Sequence, residues 1–207
     1  MKDEQGRPVT GRVRWRRFAV LAVPGFAATA ALAVALAQGA LAASFAVSGQ
    51  QFKVAADQLE GEGFAQYGSF DVNKRDQLMP VVVTGIKKAT LHSLCQSVVT
   101  ELPVIGAVSL NISAGQDPSN PVKAEDLFVD ATQMSGNASF QDIEIGRDAS
   151  TLDKGPRKAK GMQDMFSQQA QKVTVDNLHQ TAWATTAGTF KLAGLNLQLH
   201  KGKQECF

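Results

Sequence analysis

The sequence predicts an all-β domain: a meander of about four long antiparallel hairpins forming a curled sheet, a sandwich or a groove, behind an N-terminal hydrophobic signal or anchor helix. Three observations carry this. A short unit recurs along the chain, as KVAADQLEGEGF from Lys53, KATLHSLCQSVV from Lys88, VKAEDLFVDAT from Val122 and KVTVDNLHQTAW from Lys172. Each copy is followed by a Gly-bounded run of β character: GFAQYG at Gly63, GAVSLNISAG at Gly106, GNASFQDIEIG at Gly136 and AGTFKLAGLNLQLHKG at Ala187. Finally, the first copy carries Gly61 and Gly63 just past the shared Leu59, where a helix would be weakened by about 1 kcal/mol per glycine.

The chain opens on MKDEQGRPVTGRVRWRR, basic overall, followed by the uncharged FAVLAVPGFAATAALAVALA. That is the layout of a secretory signal, and it closes on Ala40-Leu41-Ala42, the small-residue pattern that signal peptidase reads. Cleavage after Ala42 is the first expectation, and residues 43–207 then form a single exported β domain. Retention as a single-pass anchor is the alternative, since an apolar run of about twenty residues can span a bilayer. The positive-inside rule places residues after Ala43 outside in either case, secreted or on the extracytoplasmic face of the cell membrane. Arg16-Arg17 leaves twin-arginine export open beside the Sec route.

The leader also explains the charge. The whole chain sums to +2, yet Lys2, Arg7, Arg12, Arg14, Arg16 and Arg17 against Asp3 and Glu4 give the leader +4, leaving −2 for the rest. No basic footprint for nucleic acid remains on the exported part. The chain's two cysteines, Cys95 and Cys206, both lie beyond the leader. In an oxidising compartment they are expected to pair.

Within the repeat, KVTVDNLHQTAW has apolar residues at both strand and helix spacing, because Val173 and Val175 alternate while Val175, Leu178, Ala182 and Trp183 follow a helical stripe. A strand bulged in its middle resolves this, since a bulge shifts the facing of every later residue by one. This strand is read as the first arm of a hairpin whose second arm slips likewise, with Phe190 and Leu192 in one phase and Leu195, Leu197 and Leu199 in the other. Residues 88–102 keep a helical alternative, because Leu91, Leu94, Cys95, Val98, Val99 and Leu102 form a stripe ending before Pro103. GQDPSNP from Gly115 and RDASTLDKGPRKAKG from Arg147 read as loops. Met162, Met165 and Phe166 suggest one or two helical turns after the second.

Motifs of chemistry are missing. No serine has the G-x-S-x-G context of a nucleophile elbow, and no zinc-protease, EF-hand, P-loop or dinucleotide motif occurs. His92 and His179 fall inside strand repeats, and His200 lies beside Lys201. No catalytic residue, metal or cofactor is expected. The cluster Lys154, Arg157, Lys158 and Lys160 reads as a solvated loop, with an anionic headgroup or wall polymer as the other possibility.

The stretches RWRRFAVLAVPGFAATAALAVALAQGALAASFAVSGQQFKV, IEIGRDASTLDKGP and QTAWATTAGTFKLAGL resemble an uncharacterised family of secreted or membrane-anchored actinomycete proteins, across essentially the whole chain. Some members are labelled cholesterol esterase, and the resemblance implies no catalytic residues to carry over. More remotely, the hairpins look like those of actinobacterial cell-envelope proteins that hold lipid in a curled β-groove.

The expected function is a non-enzymatic exported cell-envelope protein that binds lipid or another apolar small molecule on the one-sided apolar runs Val108, Leu110 and Ile112, then Ile143 and Ile145, then Leu195, Leu197 and Leu199. The alternatives are a structural or assembly surface protein with a closed β core, in which the same residues pack on one another, and an esterase acting on lipid esters.

Overall fold

The computed structural model describes residues 49–72 and 77–207. Residues 1–42, the expected export segment, lie outside them. Nine strands form one antiparallel sheet: β1 (Phe52–Val72), β2 (Leu78–His92), β3 (Leu94–Leu102), β4 (Gly106–Ala114), β5 (Val122–Gln141), β6 (Glu144–Asp148), β7 (Phe166–Thr186), β8 (Thr189–Lys191) and β9 (Asn196–Lys201). The all-β expectation is borne out.

Four of these strands close a ring. β1 pairs with β2 and β7, and β5 pairs with the same two, so each long strand has a neighbour on both sides. Several short strands are continuations of long ones. β2 and β3 are a single strand bent at Ser93, since Gln58–His92 and Ala55–Cys95 keep one register on β1. β5 likewise runs into β6 along β7, and β7 into β8 along β5.

A circuit through directly opposed residues runs from Glu125 to Lys88, Glu62 and Lys172, and arrives back on β5 at Gln141. The ring is therefore strongly staggered and its strands steeply coiled. Opposite charges stand across three of those four steps, and opposed pairs of this kind favour the register they occupy.

Coiling of this degree needs bends, and the repeat supplies them. Ser93, Asp126 and Asn177, each just before a shared leucine, have φ of 53°, 48° and 53°. The leucines that follow, Leu94, Leu127 and Leu178, are buried. In β7, Val173 and Val175 point inward, Asp176 and Asn177 do not, and Leu178, Gln180 and Ala182 resume inward in the opposite phase. The slip read from KVTVDNLHQTAW is thus a kink at Asn177. β5 slips at Glu125-Asp126 and the β2–β3 strand at His92-Ser93. Bends of this kind let one strand serve two walls of a folded-over sheet.

The walls meet in an apolar core of Val54, Leu59, Phe64, Ile86, Leu91, Leu127, Val175 and Leu178 with their neighbours. Packing is close: a Cβ on Gly61 would lie 2.8 Å from Val173 Cγ1 and 2.9 Å from Ile86 Cγ2. The remaining cavity is about 50 Å³. At one end Gln168 Nε2 donates to Gln66 Oε1 (2.6 Å) and Gln66 Nε2 to Thr84 Oγ1 (2.9 Å).

A second core lies on the outer face, where the segment between β6 and β7 straps Ala149, Leu152 and Ala159 over Ala65, Tyr67, Val81 and Val83. Buried Gln169 holds the strap: its Oε1 accepts from the Asp153 and Lys154 amides (2.9 and 3.0 Å), and its Nε2 donates to Glu144 and Asp153. Hydrogen bonds from Gln169, Lys154 and Arg147 pull the Glu144 carboxyl down to about 2. Lys154, read as part of a solvated basic loop, pairs with Glu144 at 2.9 Å.

Several local expectations are corrected. GFAQYG lies within β1 and GNASFQ within β5, so neither is a returning arm, and DIEIG leads from the end of β5 into β6. Only the Lys88 copy has the expected second arm, in the β3–β4 hairpin. The run from Leu195 pairs with β4 instead of β7. Residues 88–102 are strand. Met162 to Met165 form a turn, and Phe166 already begins β7, so the helical turns are absent; the only helix among the described residues is a single 3-10 turn, Ala149–Thr151. In each case tertiary pairing along a long strand overrode local spacing. No helix among the described residues is long and apolar enough to cross a membrane.

A candidate apolar docking site

Beyond Lys53–Ala55, β1 no longer covers β3, and the sheet continues as a three-stranded wing of β3, β4 and β9. Register sorts its side chains. Val98, Leu110 and Leu199 stand in one cross-strand row, Gln96, Ile112 and Leu197 in the next, and Thr100, Val108 and Lys201 in the one on the other side. Alternation puts these rows on one face and Ser97, Asn111 and Gln198, with Val99, Ser109 and His200, on the other.

The two faces meet different fates. On the second, the segment after β9 folds back across the sheet. Ser109 Oγ donates to the Gly202 carbonyl (2.6 Å) and accepts from the Gln204 amide (2.8 Å), and Ser97 Oγ accepts from the Cys206 amide (3.0 Å). Both serines are buried. The expected bridge between Cys95 and Cys206 is formed, with Cα atoms 5.9 Å apart. Lys53 Nζ reaches Glu205 (3.2 Å) and the main-chain oxygen of Phe207 (2.8 Å), and lies over the Phe207 ring, which also packs on His179.

The first face is bare by comparison. Leu195, Leu197 and Leu199 are 54, 58 and 70% exposed, and Val108, Leu110 and Ile112 are half-buried. This face continues the inner surface of the ring, because Gln96 and Leu94 line the internal cavity one and two same-face steps along β3 from Val98. The hairpin tip adds Leu102, Val104 and Ile105, all exposed.

Of the eight apolar residues singled out in the sequence, six therefore share this wing. Ile143 and Ile145 do not. They sit by β6, which pairs with the first residues of β7 near Tyr67 of β1. β3 meets β1 at its opposite end, on the order of 40 Å along the strand at about 3.3 Å per residue. Sequence reasoning missed Val98 and the tip, although the signal was present: Leu102-Pro103-Val104-Ile105 is apolar where a turn between strands is ordinarily polar.

Elsewhere, Asp130 lies on the outer face opposite Val83. Burial, and secondarily the nearby Asp71 carboxylate, raise it to about 6. Asp71 is itself raised by burial, and one of its carboxylate oxygens is enclosed without a hydrogen-bond partner. Tyr67 is raised by burial and by Asp130. His92 faces Gln58 across β1, and His200 faces Ser109 across β4. Among the described residues no group of three or more His, Cys, Asp or Glu side chains is placed to hold a metal ion.

No curated protein and no solved structure matches the chain. Residues 48–207 match the model of a family of unknown function, DUF6230, and the chain belongs to that family.

Proposed function

We propose that the chain is a non-enzymatic, exported cell-envelope protein whose β3–β4–β9 wing binds lipid or another apolar molecule on its uncovered face. The observation that carries this is the contrast within one small sheet: its back is sealed by a disulfide-tethered tail, while its front presents Val98, Leu110, Ile112, Leu197 and Leu199 in cross-strand rows. Exposed, contiguous apolar surface of this kind marks interaction sites on soluble proteins. The ring interior is the weaker alternative, because about 50 Å³ falls well short of the roughly 300 Å³ or more of a small-molecule site.

The test is uptake of a fluorescent fatty-acid or sterol probe by the purified full chain. Leu197→Glu with Leu199→Glu should abolish uptake and leave the urea midpoint nearly unchanged, since both side chains are already exposed. Gln198→Ala, on the other face, should bind as wild type. A wild-type protein that takes up no probe, or a double variant that binds normally, overturns the reading.

A further inference from the structure

We infer that the apolar occupant of the wing is the surface of a lipid bilayer, into which the β3–β4 hairpin tip, Leu102 to Ile105, inserts; this rests on the apolar-docking reading above and narrows it. The tip has no part in the fold that accounts for its composition. Leu102, Val104 and Ile105 are exposed, and Val104 is fully so. Val104 also has φ of 74°, a left-handed conformation that a β-branched residue adopts only at a steric cost and that Gly or Asn would take freely. A solvated turn gains nothing from Val there, whereas an interfacial tip does.

Chain geometry and charge point to a bilayer as the occupant. The uncharged run Phe18–Ala37 is followed by residues 38–49, a connection of at most about 40 Å when extended. It leads to Gln50, whose Oε1 accepts from Thr100 Oγ1 at 2.8 Å. The chain's most apolar segment therefore joins the domain two residues from Leu102, on the row that holds Thr100, Val108 and Lys201. Glu101 is paired with Lys203 at 3.2 Å, and Lys201 has no ion pair among the described residues. An apolar tip backed by a cation is the arrangement that places side chains below, and a charge at, the headgroups of an anionic membrane. Retained as an anchor, residues 18–37 would tether the domain to that surface through the connection that ends beside Thr100.

The experiment places an environment-sensitive fluorophore at the tip through Val104→Cys, labelled without reductant so that the Cys95–Cys206 bridge stays intact. The full chain is reconstituted in phosphatidylglycerol–phosphatidylcholine vesicles carrying a spin-labelled lipid. Leu78→Cys is the comparison, being another apolar, exposed position, at the end of β1–β2 remote from the wing. The label at 104 should shift to the blue on vesicle addition and be quenched several-fold more than the label at 78. Equal quenching at the two positions overturns the inference, and so does a label at 104 that is already shielded before vesicles are added, which would mean that a second copy covers the tip. If either result is obtained while Leu197→Glu with Leu199→Glu still abolishes probe uptake, insertion is wrong and the apolar platform stands.

Discussion

The ring and the wing are made of the same material, antiparallel strands with apolar residues at alternate positions, and they end in opposite states. Leu127 and Leu178 in the ring are 3 and 1% exposed, whereas Leu197 and Leu199 in the wing are more than half exposed. What differs is closure. In the ring β1, β2, β5 and β7 curl until the apolar face meets itself, while the wing ends at β9, which among the described residues pairs only with β4. An alternating pattern therefore declares that a strand has an apolar face, and neighbours decide whether that face becomes a core or a surface.

Four changes test this contrast, taken from the largest effect to the smallest. Removing the bridge with Cys95→Ser and Cys206→Ser should cost about 4 kcal/mol, because the sequence separation is 111 and closure of so long a loop constrains the unfolded chain strongly. Urea titration measures the loss, and hydrogen exchange should show it concentrated in β3 and β4, where the tail seals the back of the wing. Next, Leu178→Ala should cost about 3 kcal/mol through lost burial and a cavity, against less than about 1 kcal/mol for Leu197→Ala. Equal losses would erase the distinction between the two regions.

The kinks give a third, smaller effect. Asn177 sits at φ 53°, so Asn177→Val should destabilise by about 1–2 kcal/mol, and Asn177→Gly should leave the thermal midpoint unchanged or slightly raised. The last concerns Asp130. Its folded pKa of about 6 lies above the ordinary carboxylate value. Below about pH 4 the residue is protonated folded and unfolded alike, and it makes no difference to stability. As pH rises from about 4 to 6 the unfolded chain ionises first, so this group progressively destabilises the fold, and the penalty is complete above about 6. Asp130→Asn should therefore raise the melting temperature modestly at pH 7, have no effect near pH 3.5, and flatten the slope between.

The strand content and the bulge in KVTVDNLHQTAW were legible because both are local. A phase slip appears in the order of residues whatever the strand pairs with, and Gly61 and Gly63 disfavour a helix by about 1 kcal/mol each wherever the strand lies. Pairing was not legible in the same way. GFAQYG and GNASFQDIEIG looked like returning arms because a glycine often marks a turn, yet the strands continue through Gly63 and Gly136, both at positive φ. Six of the eight candidate residues fell together because Leu195, Leu197 and Leu199 carry their alternation with them. Ile143 and Ile145 fell elsewhere because nothing in their spacing encodes which strand lies beside them.

The sequence alone determined that this chain makes long antiparallel strands, where those strands bend, and that its two cysteines had only each other to pair with. Those properties reside in φ preferences, side-chain alternation and cysteine count, all of which act over a few residues or involve no choice. The closure of four strands into a ring, the attachment of β9 to β4, and the sealing of one wing face but not the other were decided by the tertiary structure. They depend on contacts between residues as much as 154 positions apart, as Lys53 and Phe207 are, and hydrophobic burial has no direction of its own to specify which apolar face meets which.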